Sequence, residues 1–512
     1  MGSSRTHFLP SGRLTAHDAP LSLKDARHGL RRAGFGAEPA AAAALIGSSA
    51  TEFARQMVQE AMVAPLPPGP DWADLPVPGD EVDPAENFNL REQNADRLLA
   101  YRTEWIGRMA TGGLGERMAL IWHNHFVTGA DKYFYAAWAH RYLTMLRTHA
   151  LGNFKDFVYD VGIDPSMLIY LDGRDNLAGD GNENYARELL ELFTMGPTGP
   201  DGAPNYSERD IREISRALSG WVVSPEALEA RFVPERFDDG VKEFFGRKGA
   251  FGYGDVIDII FEERGYEIST FICSYLYESF VSATVDEDAV RTMAVRFLES
   301  GFEIAPVVQE LIASRSFFDP AVQGVRIKSP VEYGLSLFVD MGITDIENTL
   351  LLYRRASLLG QQLFNPPDVN GWPGHFTWIN TTTLPYRAQL SETYFSGRGG
   401  GVPDLRAMAA ALVDADDPHA VFRLPTAIAE HLLPLPAELL DIPAPESDFG
   451  GNLEARPIPD WVWDAPPHVV HLSKIFLSGA PWYEWSLDRP EANSRLVGFV
   501  TFIATYPEFH LV

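Results

Sequence analysis

The sequence has almost no cysteine. Cys273 is the single one in 512 residues, so the chain can form neither an intrachain disulfide nor a zinc or iron–sulfur site with several cysteine ligands. It lies in the apolar run 271–276, which predicts a small buried side chain. Nothing around it favours a reactive thiol.

Long apolar runs are also lacking. No stretch approaches the roughly 18 consecutive apolar residues that indicate a membrane-spanning helix. Residues 1–20 contain no apolar core of the length that a secretory signal needs. As written, the sequence therefore predicts a cytoplasmic protein without a membrane span. Export to the periplasm together with a partner is the alternative left open.

Basic residues are scarce. The 42 Lys and Arg residues face 70 Asp and Glu residues, which gives a formal net charge of -28. Such a surface repels nucleic-acid phosphates and anionic lipids, so we expect neither as a partner. The sequence has no GxGxxG or Walker loop, no GxSxG elbow and no HExxH helix. It therefore lacks the signatures of dinucleotide-binding enzymes, P-loop NTPases, α/β-hydrolases and HExxH metalloproteases.

Helical spacing of apolar residues recurs through most of the chain, and no alternating strand series or fixed-period repeat interrupts it. We predict a mainly α fold: one large helical body with long Pro- and Gly-rich loops and a few short strands. The predicted organisation is a main domain over 1–395, a glycine-rich linker over 396–404, and a helical and irregular extension over 405–512 that packs on the main domain.

Residues 182–196 predict one amphipathic helix, capped by Asn182 and ended by Gly196. Its polar face gathers the candidate catalytic residues Glu183, Arg187, Glu188 and Glu191. One interpretation is a solvated face held by ion pairs. The other is a buried pocket wall, in which Arg187 bridges two carboxylates and Arg187→Lys is not tolerated. We predict the buried wall.

Two histidines end the apolar helix predicted over 114–126. His123 and His125 lie about 200° apart on a helix, so they can serve one site only if the helix breaks between them. With Glu188 they would form a ligand set that suits a divalent metal, Fe, Zn or Mn. At least one ring is predicted to face the Glu188 and Glu191 side. The alternative is that one histidine is a buried, hydrogen-bonded structural residue.

The loop 364–380 is rich in proline and tryptophan. Its aromatic side chains could wall a pocket, or the loop could be a cover whose aromatics plug the helix bundle. The candidate pocket-wall residues are Trp122, Asn124, Trp221, Trp372 and Trp378.

Several of these stretches together resemble a known family. The segments that carry the resemblance are 28–36, 122–126, 182–196 with 218–221, 326–333 and 362–380. Their order resembles that of the bacterial family catalogued as "domain of unknown function 1800", over about residues 23–390. The resemblance implies an uncharacterised activity and a companion protein of sulfatase- or phosphatase-like fold. It also implies a histidine where this chain has Phe237, so a site that uses that histidine would be altered here.

Two classes of function follow. The first is an enzyme with a His/Glu polar pocket, metal-dependent in one version, that carries out redox chemistry or hydrolysis. In it, Arg187 orients a carboxylate or binds an anionic substrate. The second is a non-catalytic binding or assembly protein that acts with the sulfatase- or phosphatase-like partner. The sequence does not specify the substrate, the metal or the oligomeric state.

Overall fold

Helices carry nearly all of the regular structure, as the sequence predicts. The computed structural model describes residues 14–75, 84–224, 228–398, 401–414, 417–445 and 447–512. Within these ranges, no helix combines the length and the apolar character that crossing a bilayer requires. The mainly α class with a few short strands is confirmed.

The helices divide into a group before and a group after the strands. Those before are α1 (Leu23–Ala33), α2 (Pro39–Ala44), α3 (Ala50–Val63), α4 (Pro84–Met109), α5 (Gly113–His125), α6 (Ala130–Tyr133), α7 (Ala136–His149), α8 (Phe154–Gly162), α9 (Pro165–Tyr170), α10 (Asn184–Glu188), which the π-helical turn Leu189–Thr194 continues, and α11 (Glu208–Ala217). Those after are α12 (Tyr253–Phe280), α13 (Glu287–Glu299), α14 (Ile304–Ile312), α15 (Arg315–Phe318), α16 (Pro330–Val339), α17 (Thr349–Leu358), α18 (Thr383–Phe395), α19 (Arg406–Leu412), α20 (Ala420–Leu432), α21 (Asp460–Trp463), α22 (Pro467–Leu477) and α23 (Ala492–Ile503).

Two small antiparallel pairs make up the strands. β1 (Trp221–Ser224) pairs with β2 (Glu229–Phe232), and β3 (Lys242–Phe244) pairs with β4 (Arg247–Gly249). Short 3₁₀ turns lie at Gly173–Asp175, Pro234–Arg236, His375–Trp378, Ala437–Leu439, Trp482–Glu484 and Pro507–His510. The strands and turns interrupt the helical body without forming a layer of their own.

Helix α5 lies at the centre of the core. Ten of its 13 residues are buried, because apolar side chains cover most of its circumference, as expected for a helix inside a large body. It ends where the Phe126 N–H donates to the Trp122 carbonyl at 2.8 Å and the Phe126 backbone leaves the helical region. The helix therefore runs through both His123 and His125, so the break between them that a shared site requires does not occur.

Seven prolines between positions 65 and 84 predict a loop over 64–89, and the loop is shorter than that. Helix α4 already begins at Pro84, since proline has no N–H to lose at the first position of a helix. Residues 76–83 of the predicted loop lie outside the described residues, as do residues 399–400 of the predicted linker 396–404.

Residues after 405 contact the main body at two places, helix α1 and residues 326–328. The Arg31 guanidinium of α1 donates to the carbonyl of His431 in α20. Residues 326–328 pair with residues 510–512, with the Lys328 N–H donating to His510 O and the Val512 N–H donating to Arg326 O, both at 2.8 Å. The division between 1–395 and 405–512 stays a prediction.

Asp340 allows a test of how much one buried ion pair contributes. Its Oδ1 accepts from Arg31 Nε at 3.0 Å and from the Ala37 N–H at 2.7 Å, with the carboxylate fully buried. We expect Asp340→Ala to lower the free energy of unfolding by about 3–5 kcal/mol, because it leaves the Arg31 charge buried and uncompensated. Thermal unfolding measures this. The matched control is Asp18→Ala in the exposed Asp18–Arg315 pair, with a change below about 0.5 kcal/mol; equal melting temperatures for the two variants would contradict the expectation.

Candidate functional site

The helix predicted over 182–196 exists, with a π-helical second half. The Asn182 side chain accepts from the Asn184 N–H at 2.9 Å, as predicted for a cap. Gly196 follows the helix with a φ of +72°, a conformation that favours glycine. In the π-helical turn Leu189–Thr194, the Thr194 hydroxyl donates to the Leu189 carbonyl at 2.5 Å.

The polar face of this helix is half exposed, so the predicted buried wall is wrong. The side chains of Arg187 and Glu183 are 36% and 40% exposed. Arg187 donates two hydrogen bonds, of 3.0 and 2.9 Å, to Glu208 at the start of α11, and lies 3.5 Å from Glu183. The ion-pair interpretation holds instead, because α11 places a solvated carboxylate beside the guanidinium.

The other two carboxylates of this face lie in different surroundings. Glu191 accepts from the Tyr206 hydroxyl at 3.2 Å. Glu188 is half buried, and burial, followed by the negative charge of Glu191, raises its pKa above the ordinary value. None of the four predicted catalytic residues lines the larger cavities of the described chain.

His123 is a fully buried ring inside an aromatic cluster. Its Nε2 accepts from the Phe364 N–H at 3.0 Å, so the proton of the neutral ring lies on Nδ1. The ring stacks on Trp372 with centroids 5.4 Å apart and an angle of 8°. Burial, with the charge of Arg102 adding to it, lowers the pKa of His123 to about 3. This histidine therefore holds the aromatic loop against α5.

His125 does face the helix that follows Asn182, but on the buried side of that helix. Its Nε2 donates to the Phe193 carbonyl at 3.0 Å, and its ring packs against Tyr275 with centroids 4.9 Å apart. Burial lowers its pKa to about 4, against the effect of the Phe193 hydrogen bond. The contact reaches backbone and not the Glu188 or Glu191 carboxylates.

The predicted metal centre finds no support in this geometry. His123 and His125 bond to different segments, and across the described ranges no three His, Cys, Asp or Glu side chains converge so as to hold a metal ion. The donor set of His123, His125 and Glu188 therefore does not fit a metal here. The two rings take the structural role that was the alternative.

A cavity of about 310 Å³ lies between α5, α12, the segment before α16 and the loop 361–378. Three predicted wall residues line it: Asn124, Trp372 and Trp378. The other two do not, and are corrected. Trp122 is in the core and donates to the Ala150 carbonyl, and Trp221 packs in β1 against Phe232 and Tyr253.

Asn124 fixes the loop that forms one wall. Its Oδ1 accepts from the Trp372 N–H at 2.7 Å, and its Nδ2 donates to the Trp372 carbonyl at 3.4 Å. At Gly371, with a φ of +80°, a Cβ would come within 2.5 Å of the Asn124 carbonyl oxygen and Oδ1. Only glycine fits this close approach, so the Asn124 contact and the glycine depend on each other.

Two guanidiniums meet the Glu332 carboxylate at the cavity wall. Glu332 Oε1 accepts from Arg117 Nη1 and from Arg326 Nη2, while its Oε2 accepts from the Ser329 N–H at 2.7 Å. Burial by itself would raise the pKa of Glu332, but Arg117 and Arg326 outweigh it and hold that pKa well below the ordinary value. The carboxylate is therefore ionised, with two cations on it.

A third guanidinium belongs to the same cluster. Arg32 is fully buried and donates from Nη2 to the Val322 carbonyl at 2.9 Å. Burial, followed by the charge of Arg326, lowers its pKa. Its Nε and Nη1, and the Nε of Arg326, are buried without a hydrogen-bond partner among the described residues. The cluster thus has three guanidiniums for the one carboxylate of Glu332, and three of their nitrogen atoms have no acceptor among the described residues.

Titratable groups stand at the wall of the cavity. His375 has a φ of +48°, a strained backbone of the kind that collects at functional sites. Burial, followed by the charges of Arg326 and Arg32, lowers its pKa, so the imidazole is neutral near pH 7. On α12, burial raises the pKa of Glu278. Titratable groups with shifted pKa values in a cavity wall mark a candidate functional site.

The cavity is where the stretches that carry the family resemblance meet. Segments 122–126, 326–333 and 362–380 line it, and 28–36 supplies Arg32 and, at Gly34, a carbonyl that Arg117 Nε donates to at 2.9 Å. The helix after Asn182 does not line it. Phe237 is elsewhere too: its ring lies 4.3 Å from the Lys242 ammonium.

Sequence reasoning missed Arg117, Glu278, Arg326, Glu332 and His375. The available signal for Arg117 is its place directly before the apolar stretch Met118–Trp122 of a helix predicted to lie in the core, where a charge is expected only with a buried partner. Arg326 and Glu332 lie in segment 326–333, which carries the family resemblance, but nothing within that segment indicates a partner on α5. For Glu278 and His375 no local pattern distinguishes them from surface residues.

Because the ion pairs of Arg187 are exposed, they should contribute little to the free energy of unfolding. We expect Arg187→Ala to lower the free energy of unfolding by only about 0.2–1 kcal/mol, because solvent screens the pairs with Glu208 and Glu183. Arg187→Lys should be tolerated, in reversal of the prediction from sequence. Thermal unfolding against wild type measures both; a loss as large as that of Asp340→Ala would contradict this view of the face.

The buried histidines predict a pH dependence. The folded chain keeps His125 neutral down to about pH 4, whereas the unfolded chain protonates it near pH 6.5, so this residue makes the free energy of unfolding fall as the pH drops through that window. We expect the stability advantage of wild type over His125→Gln to shrink between pH 7 and pH 4.5. Melting temperatures of both proteins measure it, and a constant difference would contradict the neutral ring.

Comparison with known proteins gives a family and no characterised relative. No curated protein and no solved structure matches the chain significantly. A family model described as "Protein of unknown function (DUF1800)" matches residues 28–446, a range that contains the whole lining of the cavity. This confirms the resemblance carried by the motifs. Because the match covers most of the chain, the protein belongs to the DUF1800 family of proteins of unknown function.

Proposed function

We propose that the cavity beside α5 binds a small organic anion and that the protein is an enzyme acting on it. The observation that carries this proposal is the buried cationic cluster at the cavity wall: Arg117 and Arg326 both donate to Glu332, and the fully buried Arg32 lies close enough for the charge of Arg326 to lower its pKa. The anionic group is a carboxylate, a phosphate or a sulfate.

Arginine suits this role for a physical reason. A guanidinium keeps its charge when buried and presents N–H donors in a plane that matches two oxygens of a carboxylate or phosphate. Arg326 lines the cavity, and its Nε is buried without a partner in the described chain. An arriving anion would satisfy donors that the fold leaves unpaired, and in a site of low dielectric that contact is stronger than in water.

The rest of the lining suits an organic body attached to the anion. Trp372 and Trp378 offer aromatic surface, and Asn124, Asn370 and Gln361 offer amides. The volume of about 310 Å³ is at the small end of the range for ligand sites. This favours a molecule of the size of a metabolite over a polymer segment.

His375 and Glu278 are the candidate acid–base groups. A neutral imidazole can take a proton, and a carboxyl group with a raised pKa can supply one. Both side chains line the same cavity as the cationic cluster. The reaction class that we propose is hydrolysis or redox chemistry.

The second candidate function is binding or assembly with a companion of sulfatase- or phosphatase-like fold. One observation favours it: Phe376, next to His375, is 85% exposed. An exposed aromatic side chain at this place offers a contact point for a partner that docks over the cavity. This candidate and the anion site are compatible, since a partner could dock over the cavity.

Calorimetric titration with inorganic phosphate, sulfate and citrate tests the anion site at low ionic strength. We expect at least one probe to bind the wild-type chain and Arg326→Gln to weaken it at least tenfold, about 1.4 kcal/mol. The matched control is Arg315→Gln, an exposed arginine paired with Asp18, which should leave the affinity unchanged. No binding by any probe, or equal binding to Arg326→Gln, would contradict the proposal.

A further inference from the structure

A second cavity lies on the far side of α5 from the cationic cluster. Its volume is about 480 Å³, and the end of α3 with the segment after it, the start of α5 and the end of α7 surround it. Glu116 of α5 lines this cavity and the next residue, Arg117, lines the first. The two cavities share no lining residue.

Most of the wall of this second cavity is apolar. The contributing side chains are Ala61, Met62, Ala64, Pro65, Leu66, Pro67, Ala150 and Leu151. Met62 is 60% exposed and the neighbouring Val63 is 72% exposed. An apolar concavity with apolar side chains left in solvent beside it is typical of a ligand site, and its volume lies well inside the range for such sites.

One buried ion pair supplies the polar part. Arg147 Nη2 lies 2.8 and 3.0 Å from the two oxygens of Glu116, which also accepts from Trp105 Nε1 at 2.7 Å. The side chains of Arg147 and Glu116 are about nine-tenths buried, and the Nε of Arg147 has no hydrogen-bond partner in the described chain. Burying a guanidinium donor in this way is costly unless a ligand accepts from it.

The charges of the lining favour an anionic head. Arg108 and Arg147 line the cavity together with the single carboxylate Glu116. Arg108 also pairs with Glu104, but that carboxylate is about half exposed, and an exposed pair of this kind holds its arginine weakly. Arg108 is therefore able to turn toward a ligand, while Glu116 is already satisfied by Arg147 and Trp105.

We propose that this second cavity binds an amphipathic carboxylate, a molecule with an apolar chain and a single carboxylate head. The chain would lie along Met62, Leu66 and Leu151, and the head would accept from Arg147 and Arg108. This site stands apart from the proposed anion site, since it rests on different residues and needs an apolar body that the first cavity does not select.

The chain offers a matched pair of glycines for the test. Gly115 lies in α5 in the cavity lining, and a Cβ there would meet nothing closer than Ala61 at 3.8 Å. Gly498 lies in α23, exposed, with nothing within 4 Å of its Cβ position. A Cβ fits at either position without a close contact, but only Gly115 belongs to the cavity lining.

Calorimetry with decanoate below its micellar concentration measures the site. We expect decanoate to bind wild type and Gly498→Leu equally, and Gly115→Leu at least tenfold more weakly. Acetate and 1-decanol, which lack the chain and the charge respectively, should each bind at least tenfold more weakly than decanoate. Binding of decanoate to Gly115→Leu with wild-type affinity, or of 1-decanol as tightly as decanoate, would overturn the proposal.

A diazirine analogue of decanoate locates the site on the unaltered chain, so the result does not depend on how the variants fold. We expect photolabelling within 61–67 or 147–152, with competition by decanoate and none by inorganic phosphate. Labelling confined to residues of the first cavity would overturn this inference and leave the anion proposal standing. Decanoate labelling within 61–67 or 147–152 of a chain that binds no inorganic phosphate, sulfate or citrate would support this inference and contradict the anion proposal.

Discussion

The arrangement around the first cavity depends on the ion pairs and hydrogen bonds that the Glu332 carboxylate forms. It receives Arg117 from α5 and Arg326 from the segment before α16, and it caps α16 through the Ser329 N–H. Arg117 in turn donates to carbonyls at the end of α1. One ionised oxygen pair thus fixes three helices against each other, and breaking such a buried network is far more costly than losing a surface pair.

The interior and the surface of this protein have opposite charge. Among the described residues, the buried cations are Arg27, Arg31, Arg32, Arg117, Lys242, Lys328 and Arg387, and the buried carboxylates are Glu116, Asp164, Glu332 and Asp340. The chain as a whole carries -28, so its surface is more acidic than the formal charge indicates. An acidic chain is in this way able to contain cavities that favour anions.

What the sequence predicts correctly here is local. The helical class, the cap at Asn182, the end of α5 beside His125 and the stiff loop with Trp372 follow from spacing, capping and turn residues within a few positions. The burial of the Arg187 face was predicted wrongly because it depends on where α11 places Glu208. The Arg117–Glu332 pair joins residues 215 positions apart, and no periodicity within a single sequence relates them.

The π-helical turn Leu189–Thr194 makes this helix sensitive to its length. Such a turn holds about one residue more than an α-helical turn, and the Phe193 carbonyl near its end accepts from His125. A deletion of one residue here would restore the α-helical repeat and rotate the flanking halves by about 100° relative to each other. Side chains now in the core would then turn toward solvent. Within this segment, insertions and deletions are therefore constrained far more tightly than substitutions on the Arg187 face.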